Sequence, residues 1–178
     1  MRFNRFFAPP FGIPFRLRES SPQAQGLVAW YPANAGPRFA DLARRRLATI
    51  SSLPVWTPDP DQGAGWKFSA SATTVDVVTD VAANTPFAIA IWFVPSSGGG
   101  VEIVWEQLTS APSLEGSANP GFDFWMQNTT SVSTGVLTVG KMYHVVCQWT
   151  GSQQQIYLNG VFVAQTAQAA SAAPTLIT

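Results

Sequence analysis

Two glutamates, Glu102 and Glu106, close the short apolar run Glu-Ile-Val-Trp-Glu. Paired carboxylates are the equipment for acid–base cleavage of a glycosidic bond. On an extended chain residues i and i+4 share a face, as such a pair requires. Their Cα atoms then stand roughly 13 Å apart. Retaining hydrolysis needs carboxyl groups about 5 Å apart, and inverting hydrolysis up to about 9.5 Å. No orienting carboxylate lies between the two glutamates. The expectation is an ordinary strand with solvated acids and no catalytic residue.

The other reactive side chains are sparse. His144 is the only histidine and Cys147 the only cysteine, so a zinc site lacks ligands and an internal disulfide lacks a partner. No Gly-x-Ser-x-Gly elbow accompanies His144, which reads as structural. Cys147 falls on the apolar face of a predicted strand and reads as a small buried hydrophobe. Asp59 and Asp61, two apart in "TPDPDQGAG", are the pair that could ligate calcium together, against a plain reading as solvated loop acids. No other cofactor is expected. Arg44, Arg45 and Arg46 form a basic cluster that suits a solvated turn or an acidic neighbour.

Seven tryptophans remain to be assigned. Trp30, Trp92 and Trp149 sit in predicted strands and are expected in the core. Trp56 and Trp66 flank the "TPDPDQGAG" segment, and Trp105 and Trp125 lie in further strands. These four are the candidate carbohydrate-binding residues, because an exposed indole is a stacking surface for a sugar ring or a protein partner. Core burial is the competing reading for each.

The elements that must position these residues are strands. Gly-, Pro-, Ser- and Asn-bounded runs recur along the chain: "GLVAWYP", "ATTVDVVT", "PFAIAIWFVP", "VEIVWEQ", "GFDFWMQ", "GVLTVG", "MYHVVCQWT" and "QIYLNGVFVA". The nearest approach to a helical period is "FADLARRRLATI", and it is short. In "FAIAIWFV" both faces are apolar, which predicts a central strand covered on both sides. In residues 141–165, Tyr143, Val145, Cys147 and Trp149 alternate with His144 and Gln148. Asn159-Gly160 is a strong hairpin signal, since a type I′ turn needs positive φ at both central residues. The hairpin would pair Leu158 with Val161, Ile156 with Val163 and Tyr157 with Phe162. About eight short strands read as an all-β sandwich.

Composition sets outer limits. The chain has 178 residues, 46% hydrophobic and only 11% charged, with ten acids against ten bases. That length can bury a substantial core. Zero net charge gives no electrostatic case for a nucleic-acid or membrane partner, and no apolar run reaches the length of a membrane-spanning helix. Residues 1–25 stand apart, with five phenylalanines, four prolines and Arg2, Arg5, Arg16 and Arg18. Proline fixes φ and removes donors, so the segment is expected to be an extended arm with few hydrogen bonds of its own. Its candidate docking residues are Arg2, Phe3, Arg5, Phe6, Phe7, Phe11, Phe15, Arg16 and Arg18. Pro9, Pro10 and Pro14 interrupt it too early for a secretory signal.

The order of these signals resembles the LamG-like, concanavalin A-like jelly-roll domains of bacterial and phage surface proteins. The family's opening "GLVxYWP" strand has its counterpart at Gly26–Pro32. Its "DLSGxGxxG" segment is matched by Asp41 and Leu42, with arginines in place of glycines. A Gly-x-Gly-x-x-Phe element follows at Gly63, Gly65 and Phe68. "FTIxxWVxP" corresponds to "FAIAIWFVP" from Phe87, and "WYHVxxxxDGxxxxxYVNGxxV" to the run from Met142. The family's closing "IGxxxxxxFxGxIDEVRIYNRALS" segment has no counterpart before "PTLIT". The resemblance therefore implies an all-β concanavalin A-like jelly-roll sandwich over residues 26–178, preceded by the arm and lacking its C-terminal strand. Laminarinase-type relatives carry Glu-x-Asp-x-Glu, whereas Val104 stands at the central acidic position here.

The function expected from these features is a non-enzymatic virion structural or decoration protein, a capsid, head-fibre or tail component with a lectin-like sandwich. Its expected partners are other virion or surface-assembly proteins and further copies of itself. The alternative is a carbohydrate-binding adhesin, and a glycoside hydrolase comes third.

Overall fold

The computed structural model describes residues 20, 25, 27, 29, 31, 40–41, 43, 46–47, 49–50, 55–59, 63–67, 75–78, 85–95, 102–106, 113–116, 121–127, 130–167 and 176–177. All regular elements among them are strands. They are β1 (Ala40–Asp41), β2 (Arg46–Leu47), β3 (Thr49–Ile50), β4 (Val55–Asp59) and β5 (Gly63–Lys67). Next come β6 (Val75–Val78), β7 (Phe87–Phe93), β8 (Glu102–Glu106), β9 (Ser113–Gly116) and β10 (Phe122–Gln127). The last are β11 (Thr130–Ser133), β12 (Tyr143–Trp149), β13 (Gln153–Leu158), β14 (Val161–Ala167) and β15 (Leu176–Ile177). The chain divides into two compact units, residues 1–77 and 78–178.

In the first unit the strands pair as short antiparallel ladders. β1 pairs with β2, so the segment with the nearest helical period is a hairpin. Two strand residues on each side of Leu42–Arg45 outweigh a period too short to make an amphipathic helix. β4 pairs with β5, with Asp59 opposite Gly63, which turns the expected loop around "TPDPDQGAG" into a hairpin as well. Leu27, Ala29 and Tyr31 are half-buried and lie outside any strand, so the expected "GLVAWYP" strand is not formed at these described positions. An extended run becomes a strand only where a neighbour completes its ladder.

The second unit is a β-sandwich. One antiparallel sheet runs β11-β10-β9-β8 and the other β14-β13-β12-β7. Period-two alternation gives each sheet an inner apolar face. Phe122, Phe124 and Val132 of the first sheet meet Tyr143, Val145, Cys147, Trp149 and Ile156 of the second in a buried core. Phe87, Ile89, Ile91 and Phe93 of β7 pack against its margin. Aromatic edges join the layers: Phe93 meets Phe122 at 5.1 Å between centroids, and Phe87 meets Phe124 at 6.3 Å, both T-shaped.

Two two-residue turns fold β12, β13 and β14 into a meander. The first has Gly151 at φ 103, with the Thr150 amide donating to the Gln153 carbonyl at 3.0 Å. Positive φ at the first central position is the type II′ requirement. The second has Asn159 at φ 52 and Gly160 at φ 81, the type I′ pattern expected from Asn-Gly.

Three strand expectations change. "GVLTVG" is not a strand: Gly135 and Gly140 take φ 72 and 76, leaving Leu137 buried and its valine neighbours exposed. β7 is not covered on both faces. Among the described residues it pairs with β12 alone, and its alternate residues Ala88, Ala90 and Trp92 are exposed. Leu158 does face Val161 and Tyr157 does face Phe162, but a bulge then sets Ile156 opposite Ala164 rather than Val163. The inserted residue leaves Val163 outside the ladder pairs.

Candidate functional site

The outer face of the β14-β13-β12-β7 sheet carries the described side chains best arranged to bind a ligand. Register builds it row by row. Trp92 lies opposite His144, and Ala90, Val146, Tyr157 and Phe162 form the next row. Ala88, Gln148, Gln155 and Gln165 form the third, with Gln153 and Ala167 beyond. None of these residues bears a carboxylate, ammonium or guanidinium group.

Trp92 is 71% exposed, against the expectation of a core residue. Its neighbours on this face of β7 are alanines, so no long side chain shields the indole. The Trp92 and His144 rings lie 4.7 Å apart and are tilted by 32°, so the imidazole braces one side of the indole. The His144 backbone is held in turn by the hairpin tip: its amide donates to Asn159 Oδ1 at 3.0 Å, and the Asn159 amide donates to its carbonyl at 2.7 Å. A second aromatic pair, Tyr157 with Phe162, meets edge-on at 5.5 Å on the adjoining row.

Between the aromatic groups runs a ladder of neutral amides. Gln148 Nε2 donates to Gln155 Oε1 and lies 3.5 Å from the Tyr157 hydroxyl. The Tyr157 hydroxyl donates to Gln155 Oε1 at 3.1 Å. Gln155 Nε2 donates to Gln165 Oε1 at 3.1 Å and to Gln153 Oε1 at 3.4 Å. The central amide is thereby held by its neighbours, while the flanking ones turn further donor and acceptor positions to solvent. Rigid aromatic surface beside oriented, uncharged hydrogen-bonding groups suits a neutral polyhydroxylated ligand.

The inner face of the same sheet is chemically quiet. Cys147 is fully buried, and burial pushes its thiol well above the ordinary 9.0, so it is protonated and sheltered. Its buried, unreactive character agrees with the sequence expectation. Hydrogen bonding with the Thr138 side chain, and then with the Thr138 amide that donates to the Tyr143 hydroxyl at 3.0 Å, holds the ionisation of Tyr143 below 10.0. Trp149 is in the core as expected.

The four tryptophans expected to bind sugar do not form one site. Trp56 and Trp66 are direct cross-strand partners in the β4–β5 hairpin, where Trp66 is half-buried. Trp105 and Trp125 lie in the other unit at register positions of opposite parity, Trp105 level with Leu114 and Phe124 and Trp125 level with Ser113. The side chains of Trp56, Trp105 and Trp125 lie outside the described residues, as does all of Trp30. The candidate docking residues Arg2, Phe3, Arg5, Phe6, Phe7, Phe11, Phe15, Arg16 and Arg18 lie outside them too, as do Arg44, Arg45 and Asp61.

The backbone ladder between β8 and β9 is irregular between the two glutamates. Glu102 is opposite Gly116 and Glu106 opposite Ser113, so four steps along β8 match three along β9. The ladder therefore shifts register between the two glutamates, whose side chains lie outside the described residues. No group of three or more metal-binding side chains occurs among the described residues.

Residues 68–176, more than half of the chain, match the family model of the concanavalin A-like lectin/glucanases superfamily. The chain belongs to that superfamily. The match takes in the "FAIAIWFVP" strand and the whole β12–β14 meander, two of the motifs that carried the LamG-like resemblance. It fixes a lectin-like, concanavalin A-like all-β domain. No curated protein matches the chain. Sequence reasoning missed this member's exposed face because its signals are weak ones: alanines alternating around Trp92, and glutamines recurring at outward positions of three adjacent strands.

Proposed function

We propose that the domain is a non-catalytic, lectin-like module that binds a neutral glycan on the outer face of β7, β12, β13 and β14. The observation that carries this reading is Trp92, 71% exposed and braced against the His144 ring beside an uncharged amide ladder. Stacking on the indole would supply apolar contact, and the glutamines would hydrogen-bond the hydroxyls. The apolar Val104 between Glu102 and Glu106, where hydrolytic relatives carry an acid, supports binding rather than hydrolysis. The composition of residues 1–25 favours display of this module on a virion or similar surface assembly.

The test is a screen of purified protein against an array of neutral and charged glycans, followed by calorimetric titration of the best ligand. Neutral glycans should be selected, and Trp92→Ala should remove binding while leaving the circular dichroism spectrum unchanged. Selection of anionic glycans alone, or full binding by the Trp92→Ala protein, would sink the proposal.

A further inference from the structure

Among the described residues, two aromatic rings stand exposed on the outer face of the β14-β13-β12-β7 sheet: Trp92, and Phe162 at 49%. They are built alike. Each has a half-buried ring of the adjacent strand against one side, His144 beside Trp92 and Tyr157 beside Phe162. Trp92 stands on β7 and Phe162 on β14, with β12 and β13 between them. Register puts Trp92 in one row and Phe162 in the next. Three strand spacings across and two residues along separate their Cα atoms by roughly 16 Å. That is far more than one sugar ring covers. On β12, between the two rings, lies the half-buried Val146, a short side chain. Beside this line runs one glutamine from each of three successive strands, Gln148, Gln155 and Gln165. Side chains on adjacent strands recur about every 4.8 Å, close to the length of one pyranose unit in an extended chain.

We propose that Trp92 and Phe162 are two stacking platforms of one extended site, whose ligand is a linear neutral oligosaccharide running across the strands. This rests on the reading of the outer face as a glycan site, and names the class of glycan. A single sugar reaches one ring and leaves the other idle. A chain of several units stacks on both, because each ring is exposed and is held from one side by its aromatic neighbour. On its way it passes the three glutamines, whose strand spacing keeps pace with the repeat of the chain. Their amides hydrogen-bond one another, and the flanking ones keep donor and acceptor positions for the sugar hydroxyls. Both contacts belong to one ligand, so the second forms at the high effective concentration that the first creates.

The experiment is calorimetric titration of the full chain with cello-, laminari- and malto-oligosaccharides of increasing length, from glucose to the hexasaccharides. In at least one series, affinity should rise by about tenfold or more once the chain is long enough to reach Phe162. Phe162→Ala should flatten that rise, so that long chains bind no better than short ones, and Phe162→Tyr should keep it. In parallel, backbone amide resonances of β14 in the wild type should move with the hexasaccharide and stay still with the disaccharide. This readout needs no substitution, so it decides the matter even if Phe162→Ala fails to fold. Affinity that does not grow with length, a rise that survives Phe162→Ala, or β14 amides indifferent to the hexasaccharide would each overturn the proposal. If a glycan array selects neutral sugars all the same, the binding reading outlives it. If the array selects none, both fall together.

Discussion

Along β12 consecutive residues divide between two environments. Tyr143, Val145, Cys147 and Trp149 are buried, while His144, Val146 and Gln148 are half-buried on the other face. The two tryptophans of the paired strands β7 and β12 make the contrast sharpest. Trp149 is 3% exposed and touches Phe87; Trp92 is 71% exposed and touches His144. The same side chain closes a core on one face and offers a platform on the other. Parity along the strand, not residue type, decides between the two roles.

This contrast can be broken at several points. The largest effect is expected inside: Phe124→Ala removes a ring that is fully buried and meets Phe87 edge-on, and should cost about 3–5 kcal/mol in denaturant unfolding. A cost below about 1 kcal/mol would mean that the inner face is not a packed core.

Cys147 tests the same face by pH. Its folded pKa lies above its ordinary 9.0, so below that pH both folded and unfolded chains keep the proton and stability is unaffected. As pH rises past 9.0 the unfolded thiol ionises first, and stability should fall by about 1.4 kcal/mol per pH unit. Tyr143, held below 10.0, works in the opposite sense, so the comparison is made with Cys147→Ala, which should lose the alkaline decline attributable to the thiol. A thiol that titrates normally in the folded protein would contradict the register of β12.

The hairpin tip joins the two faces. Asn159→Ala deletes the acceptor for the His144 amide and puts a β-carbon-bearing residue of poorer left-handed preference at φ 52. A loss of about 1 kcal/mol is expected in denaturant unfolding, and any glycan binding of the kind proposed should weaken with it. The smallest effect belongs outside. Trp92→Ala should change stability by no more than about 0.5 kcal/mol, as for a surface position. A larger loss would make Trp92 part of the core and remove the contrast.

Much of this sandwich was legible before its coordinates. Asn159-Gly160 specified the type I′ turn, and the alternation from Tyr143 to Trp149 specified which side chains are buried. The unreadable parts have local physical causes. Alanine fits a covered or an open face, so "FAIAIWF" concealed both the exposure of Trp92 and the place of β7 in its sheet. Bulges have no reliable composition: one in β8 shifts the register between Glu102 and Glu106, and one in β14 displaced Val163. The amide ladder was invisible because Gln148, Gln155 and Gln165 come together only after three strands pair.

The two tight turns around β13 also bear on the order of assembly. β12, β13 and β14 are joined by the shortest connections that antiparallel strands allow, so their pairing closes very small loops. The ladder between β7 and β12, by contrast, must bring together residues separated by β8 to β11. Loop-closure entropy favours the meander as the earliest structure, with β7 and the opposite sheet condensing on it later. Substitutions in the Asn159-Gly160 turn should therefore slow refolding, whereas truncations in β7 should chiefly hasten unfolding. The hairpin tip that orients His144 would thus act twice in the life of the chain, first as a nucleation point and afterwards as a support.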